Sequence, residues 1–332
     1  MGRRRGADVS PRHLPARHRR CRTRCPGKRG RHRPGRVRTV LSGLPICRLG
    51  RQAGPGCADR RHGRNGGRGV SLLLVGCGRM GGALLGGWIG QGVAAQSIRV
   101  IEPQPVDLPS GVVRHGDGSE LPAAFQPEIV LLAVKPQVMD TVLPPYARFA
   151  GQAAFLSIAA GKTIAGMAKI LGDSAAIVRA MPNTPAAIGR GITVACANAR
   201  VSPAQRKRCG ALLEAVGAVE WAEEEGLIDA VTAVSGSGPA YVFLLAECLA
   251  EAGRQAGLPS EMAERLARAT VAGSGELLHR STETPAKLRE NVTSPGGTTA
   301  AALSVLMAED GLKPLMIKAI AAAARRSREL AS

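Results

Sequence analysis

Aromatic side chains are scarce in this chain of 332 residues, which has two Trp, two Tyr and four Phe, and none of them precedes Trp88. A leading segment without a ring has no platform on which to stack single-stranded bases. Acidic groups are missing from the same segment. Residues 1–69 hold 21 of the 45 Lys and Arg but, of the 25 acids, only Asp8 and Asp59. From Val70 onward 24 basic residues face 23 acidic ones, so nearly all of the formal charge of +20 belongs to the first segment. Also missing is any run approaching about 18 apolar residues free of charge and glycine breaks, so neither a membrane span nor a signal peptide is expected.

Residues 1–69 lack a sustained apolar period, are dense in Gly, Pro and His, and cannot bury a core. The segment reads as disordered, or as upstream DNA translated from a start assigned too early, since Arg, Gly, Pro and Ala are what GC-rich codons give without selection for folding. A basic arm that neutralises phosphates is one alternative. A transit peptide is another, although glycines and prolines spoil the amphipathic helix such peptides use. Cys21, Cys25, Cys47 and Cys57, with His13, His18, His32 and His62 nearby, do not form two tight ligand pairs, and no metal site is expected. Cys77, Cys196, Cys209 and Cys248 are scattered single thiols, which fits a reducing cytoplasm.

What is present is a stretch around which the rest is organised, Val70-Ser-Leu-Leu-Leu-Val-Gly-Cys-Gly-Arg-Met-Gly-Gly-Ala-Leu-Leu-Gly-Gly-Trp88. An apolar run meets a glycine-rich turn and then a helical pattern. Gly76, Gly78 and Gly81 fit G-x-G-x-x-G: the first permits the turn, the second lets backbone approach a pyrophosphate, and the third lets helix pack on strand. Unpaired N–H groups and the positive end of the helix dipole at the following N-terminus favour an anion. A second strand, Ser97-Ile-Arg-Val-Ile-Glu102, ends in a carboxylate about 20 residues past the motif, where a ribose hydroxyl is held in such units.

Further apolar runs follow at Glu128–Val134, Ala154–Ile158, Ala176–Ala180, Ile192–Ala195 and Ala218–Trp221. Their continuous apolarity predicts a parallel sheet covered by helices on both sides, a doubly wound α/β fold whose ligands lie beyond the carboxyl ends of the strands. Val134-Lys-Pro-Gln137, Ala159-Ala-Gly161 and Met181-Pro-Asn-Thr-Pro185 are loops at those ends. From about Gly226 the pattern becomes helical. Ser235-Gly-Ser-Gly-Pro239 introduces Ala240–Ala250, apolar almost all round and therefore expected to be buried, with Pro239 in the first turn. A long helix to about Leu278, a short one over Pro285–Glu290, and helices over Ala300–Ala308 and Leu312–Leu330 complete the prediction. Ser294-Pro-Gly-Gly-Thr-Thr299 stands directly before a helix: Gly296 and Gly297 free backbone N–H groups, and the hydroxyls of Thr298 and Thr299 are placed to cap the helix or bind a carboxylate.

With these residues in view, the stretch from Val70 to Leu330 resembles the pyrroline-5-carboxylate reductase family. The resemblance is carried by Arg179-Ala-Met-Pro-Asn-Thr-Pro-Ala186, Ser235-Gly-Ser-Gly-Pro-Ala-Tyr241 and Leu288-Arg-Glu-Asn-Val-Thr-Ser-Pro-Gly-Gly-Thr-Thr299, in that order. Residues 1–69 have no counterpart in it. It implies a Rossmann domain over 70–225 and an all-helical dimerisation and substrate domain over 226–332. That second domain interlocks with its partner's to form a homodimer, and in the family dimers often assemble into rings. NAD(P)H is the implied cofactor, and 1-pyrroline-5-carboxylate, reduced to L-proline, the implied substrate. Gly76, Cys77, Gly78, Arg79, Met80 and Gly81 would hold the dinucleotide together with Glu102, Ala133, Val134, Lys135, Pro136 and Asn183, and Ile158, Ala159 and Ala160 would flank its nicotinamide end. Glu225, Asn291, Gly296, Gly297, Thr298 and Thr299 match the substrate site, with Thr299 the candidate catalytic residue at the ring nitrogen. Glu102 leans towards NADH, and no cation follows closely in Pro103-Gln-Pro105, although Arg79 is within reach. Related imine reductases and β-hydroxyacid dehydrogenases are the enzymatic alternatives. The latter would place a lysine on the first long helix of the second domain, and Tyr241–Gln255 has none. Nucleic-acid binding through residues 1–69 is the non-enzymatic alternative.

Overall fold

The computed structural model describes residues 70–331. The expectations for residues 1–69, including the nucleic-acid arm and the Cys/His cluster, lie outside the described residues. All described residues fall in one compact unit.

Eight strands form one sheet in the order β3-β2-β1-β4-β5-β6-β7-β8. They are β1 (Leu72–Val75), β2 (Ile98–Ile101), β3 (Val113–His115), β4 (Ile129–Leu132), β5 (Ala154–Ser157), β6 (Ala176–Met181), β7 (Gly191–Ala197) and β8 (Gly217–Trp221). The strand β1 lies centrally, pairing in parallel with β2 (Leu72 opposite Ile98) and with β4 (Leu72 opposite Ile129). The chain order reverses there, so the β1 turn opens at the crevice where doubly wound sheets bind ligands.

Strand alternation divides the core. Leu72 and Leu74 face Leu84, Leu85 and Trp88 of α1 (Arg79–Gly90), while Leu73 and Val75 face Met139, Leu143, Tyr146 and Phe149 on the other side. Burial on both faces is why these strands read as unbroken apolar runs. The buried Trp88 donates its indole N–H to the carbonyl of Leu212, 2.8 Å away, tying α1 to α4 (Pro203–Glu214). The start of α4 is fixed by a reciprocal capping box between Ser202 and Gln205, with Pro203 in the first turn.

Two departures from the sequence reading concern the sheet. β7 runs antiparallel to β6, with Arg179 opposite Cys196, whereas β8 is parallel to β7. The cause is the connection: between Met181 and Gly191 there is only a short 3-10 turn, Thr184–Ile188, which is too short for a parallel crossover. The edge strand β3 was not expected. It spans three residues and is polar and largely exposed, so it carries no apolar run.

Beyond β8 the chain is helical: α5 (Leu227–Val231), a wide π turn (Thr232–Gly236), α6 (Gly238–Gln255), α7 (Ser260–Arg280), α8 (Pro285–Asn291), α9 (Thr298–Leu306) and α10 (Leu312–Ala331). The expectation of a buried α6 is not met within one chain. Val242, Phe243, Leu244, Leu245 and Leu249 are exposed because no second layer among the described residues covers them. The run Leu227–Gln255 has a window of mean hydropathy 1.3 and is long and apolar enough to cross a membrane by length and composition, despite Gly236, Gly238, Pro239 and Glu247. Of the 24 exposed large hydrophobic residues among those described, 20 lie after Gly226.

Candidate active site

The glycine turn has three distinct geometries at its three glycines. Gly76 has φ +90°, its N–H donates to the Ile101 carbonyl at 2.8 Å, and a Cβ there would come within 2.8 Å of the Ala133 carbonyl. At Gly78 a Cβ would meet nothing within 4 Å, so the backbone lies open to a ligand. A Cβ on Gly81 would run into the carbonyl oxygen of Gly76. α1 begins at this turn with no side chain capping it and no acid in its first turn, which leaves its N–H groups directed at the opening. This arrangement fits the diphosphate of a dinucleotide.

Glu102 closes one side. Its Oε2 accepts the N–H of Cys77 at 2.9 Å and its Oε1 that of Gln104 at 3.3 Å, so the carboxylate is tied to the turn. Burial, and secondarily the charge of Glu102, push the Cys77 thiol up, which keeps it protonated. A cation that sequence distance concealed stands beside this loop: Arg114 on β3 donates to the Glu102 carbonyl at 2.8 Å.

A cavity of about 540 Å³ opens here, and of the expected residues Gly76, Gly78, Glu102, Ala133, Val134 and Lys135 line it. Cys77, Arg79, Met80, Gly81, Pro136, Ile158, Ala159, Ala160 and Asn183 do not. Its remaining wall, Gly116, Asp117, Gly118, Thr141, Val142, Pro145 and Tyr146 among others, was not anticipated. Part of that wall follows the unforeseen β3. The Tyr146 hydroxyl is pushed up to about 12, chiefly by burial, and stays neutral. Apolar walls with a few polar groups suit an adenosine.

At the carboxyl end of β5 the Ala159 N–H donates to the buried Ser157 hydroxyl at 3.3 Å. Asn183 accepts the N–H of Ile192 at 3.0 Å through its side-chain oxygen, closing the β6–β7 connection. Glu225 lies where the sheet gives way to helices. Its Oε1 accepts both the Arg179 guanidinium and the Ile164 N–H, each at 2.8 Å, with the Arg179 side chain 4% exposed and that of Glu225 28% exposed. Sequence reasoning singled out Glu225 but not Arg179 as its partner. Burial first, and then Glu225, push the nearby Cys196 thiol up.

The Ser294–Thr299 turn is built as the sequence suggests, with Gly296 at φ +70° and the Gly297 N–H on the Ser294 carbonyl at 3.0 Å. The threonine caps do not form: Gly297 is the residue before α9, no side chain caps it, and Thr298 and Thr299 lie within the first helical turn. Thr298 is exposed and Thr299 half-buried. Asn291, at the end of α8, donates to Glu283 at 2.9 Å, a partner that sequence reasoning missed. None of Asn291, Gly296, Gly297, Thr298 and Thr299 lines the cavity at the glycine turn, so one chain does not join the two constellations there. No group of three or more His, Cys, Asp or Glu suited to a metal occurs among the described residues.

Comparison with known proteins supplies the family. Residues 225–330 match the family described as pyrroline-5-carboxylate reductase dimerisation, and residues 71–161 that described as NADP oxidoreductase coenzyme F420-dependent. The chain is 41% identical over 264 residues to the pyrroline-5-carboxylate reductase of Pseudomonas aeruginosa, covering 78% of this chain and 96% of that one. The chain belongs to the pyrroline-5-carboxylate reductase family. Solved members of the family superpose on it. That of Coxiella burnetii, 35% identical, has a TM-score of 0.74 over 80% of this chain and all of its own. That of Plasmodium falciparum, solved with NADP bound and 30% identical, has a TM-score of 0.69 over 79% and 98%. The family places the chain among the nicotinamide-dependent oxidoreductases, in agreement with the open glycine turn.

Proposed function

We propose that this chain reduces the C=N bond of 1-pyrroline-5-carboxylate to give L-proline, the last step of proline synthesis, using NAD(P)H. The observation that carries the reading is the turn in which Gly76 bends, Gly78 stays open and Gly81 lies against the strand, in a chain of this family. When bound, the dihydronicotinamide supplies a hydride. The chain's own residues bind and orient. Residues 70–225 hold the dinucleotide through Gly76–Gly81, Glu102 and Ala133–Pro136, with Ile158, Ala159, Ala160 and Asn183 towards its reactive end.

Glu225 and residues 226–332 carry the substrate groups. The uncapped helix start at Gly296, Gly297 and Thr298 receives the substrate carboxylate, as a helix start favours an anion. Asn291, held by Glu283, and Glu225, held by Arg179, flank the ring. The Thr299 hydroxyl meets the ring nitrogen and orients it. A cyclic imine is most readily reduced in its protonated form, so fixing the ring accounts for most of the protein's task.

A second copy completes the site. The Ser294–Thr299 turn does not line the cavity at the glycine turn, and the apolar side chains left exposed on α6 to α10 need a partner that the dimerisation family describes. On this reading a copy of the chain, rather than lipid, covers Leu227–Gln255, and the homodimer works in the cytoplasm, where Cys77, Cys196, Cys209 and Cys248 remain free thiols.

The test is oxidation of NADH and of NADPH by the full chain with and without 1-pyrroline-5-carboxylate, beside Thr299→Ala. Substrate-dependent oxidation that falls in the variant is expected, and folded protein without turnover sinks the reading. Both dinucleotides are expected to serve, with NADH preferred, because the Glu102 carboxylate opposes a 2′-phosphate. Glu102→Gln removes that charge, and the ratio of the two kcat/KM values should move towards NADPH by about tenfold, the equivalent of about 1.4 kcal/mol.

A further inference from the structure

The helix that begins the second half of the molecule contains one wide turn, and a tyrosine side chain fastens it. In the turn Thr232–Gly236 the Ser237 N–H donates to the Thr232 carbonyl, five residues back, at 2.8 Å. In an α-helix the same N–H would go to Ala233, four residues back. The Ala233 carbonyl therefore loses its regular donor. The Tyr241 hydroxyl donates to it instead, at 3.1 Å. Pro239 has no N–H and cannot serve the Ser235 carbonyl, so the sequence after the turn also disfavours a return to regular α-helix.

The surroundings give this turn its importance. A Cβ on Gly236 would approach the Met181 methyl to 2.6 Å, so the turn lies against the carboxyl end of β6, where Met181–Asn183 begin the cofactor-side loop. On its N-terminal side α5 is anchored by the Ser327 hydroxyl, which donates to Asp229 at 2.6 Å, and just before α5 stands the Glu225–Arg179 pair. Wide turns of this kind recur at functional sites because they change the phase of a helix without breaking it. Returning one residue to α register would rotate the parts on either side relative to each other by about 100°, the angle per residue of a helix with 3.6 residues per turn. Glu225 and the start of α6 would then no longer keep their present relation.

We propose that Tyr241 is a positioning residue for the reaction: its hydroxyl holds the wide turn Thr232–Gly236 open and so fixes Glu225 relative to the Met181–Asn183 loop. Tyr241 touches neither substrate nor dinucleotide in this role. The inference rests on the reading of the chain as an imine reductase with Glu225 at the substrate.

The test is Tyr241→Phe in the full chain, which keeps the ring and removes only the hydroxyl. The expected result is a fall in kcat for 1-pyrroline-5-carboxylate of roughly three- to tenfold, the range of one lost hydrogen bond. KM for the dinucleotide should stay the same, and the protein should remain folded at the assay temperature. Amide hydrogen exchange in a peptide spanning 230–240 should become faster. Unchanged kcat or unchanged exchange overturns the proposal, as does a loss of kcat that only tracks a loss of folded protein or a rise in dinucleotide KM. If the wild-type chain shows no substrate-dependent turnover, the reading of the reaction falls, and the exchange measurement alone decides whether Tyr241 holds the turn.

Discussion

Arg179 donates to Oε1 of Glu225 at 2.8 Å, and that same oxygen accepts the Ile164 N–H, so one carboxylate oxygen joins the end of β6, the start of α3 (Ile164–Leu171) and the chain entering α5. Removing one partner of a buried pair costs more than the pair itself contributes, because the other charge is left without compensation. Glu225 keeps partial access to water, which screens the effect. Arg179→Met is therefore expected to lower stability by on the order of 2 kcal/mol in urea unfolding, between the exposed and fully buried cases. It should also raise KM for the imine more than KM for the dinucleotide. Equal stability of variant and wild type would show that the pair is dispensable.

The glycine turn separates folding from binding. Gly81→Ala places a methyl against the Gly76 carbonyl, an overpacking expected to cost about 1–3 kcal/mol and to spoil dinucleotide binding with it. Gly78→Ala fills open space, so the melting temperature should hold. Its dinucleotide Kd, read by fluorescence titration of NADH, should still rise by about three- to tenfold, as expected when a ligand loses the close approach needed for one hydrogen bond. A Gly78→Ala protein that binds NADH as well as wild type would place the diphosphate elsewhere.

What the sequence disclosed and what it concealed follow from how local the cause is. β1, β2, β4, β5 and β6 are buried on both faces and so read as apolar runs, and the glycine turn is a contiguous motif whose steric reasons lie within a few residues. β3 stayed hidden because an edge strand made of Val113, Arg114 and His115 has no apolar periodicity, and with it stayed hidden the Gly116–Gly118 wall and Arg114. The antiparallel turn into β7 depends on a connection length that an apolar count does not weigh. Glu225 and Arg179 are 46 positions apart, and nothing in either neighbourhood announces the other. The apolarity of α6 was legible, but the sequence does not say whether this chain or another covers it.

His115 gives the dinucleotide end of the molecule a pH dependence. Its ring nitrogen Nε2 is 3.1 Å from the Arg99 guanidinium, Nδ1 is 4.0 Å from Glu120, and Gly116 of the cavity wall follows it directly. Burial first and then Arg99 lower its pKa below the ordinary 6.5, with Glu120 opposing. The native state thus favours the neutral ring. The stability this contributes is fully present above the ordinary value and is lost as pH falls through the lower native value. Between pH 7.5 and 5 the wild type should lose more melting temperature than His115→Gln, which has no proton to take up at this position. Parallel pH curves for the two proteins would assign the acid sensitivity to another group.

The exposed side chains of α6 make the most direct demand on a second copy. Phe243 is 62% exposed in one chain, and its neighbours Leu244 and Leu245 are exposed beside it. Water contact over so much apolar surface is unfavourable, roughly 25 cal/mol for each Å² left uncovered, so a lone chain gains by pairing. Phe243→Glu would bury an unpaired carboxylate at such an interface, a penalty of several kcal/mol and enough to shift a micromolar dimer to monomer. The sheet and its two core layers lie in residues that this change does not touch, so NADH binding should survive, while turnover should fall if the site is shared between copies as proposed. Sedimentation of both proteins at micromolar concentration, with turnover measured on the same samples, checks both halves. A monomeric wild type with full turnover would require the two turns to meet within one chain, and a monomeric variant with full turnover would confine dimerisation to stability.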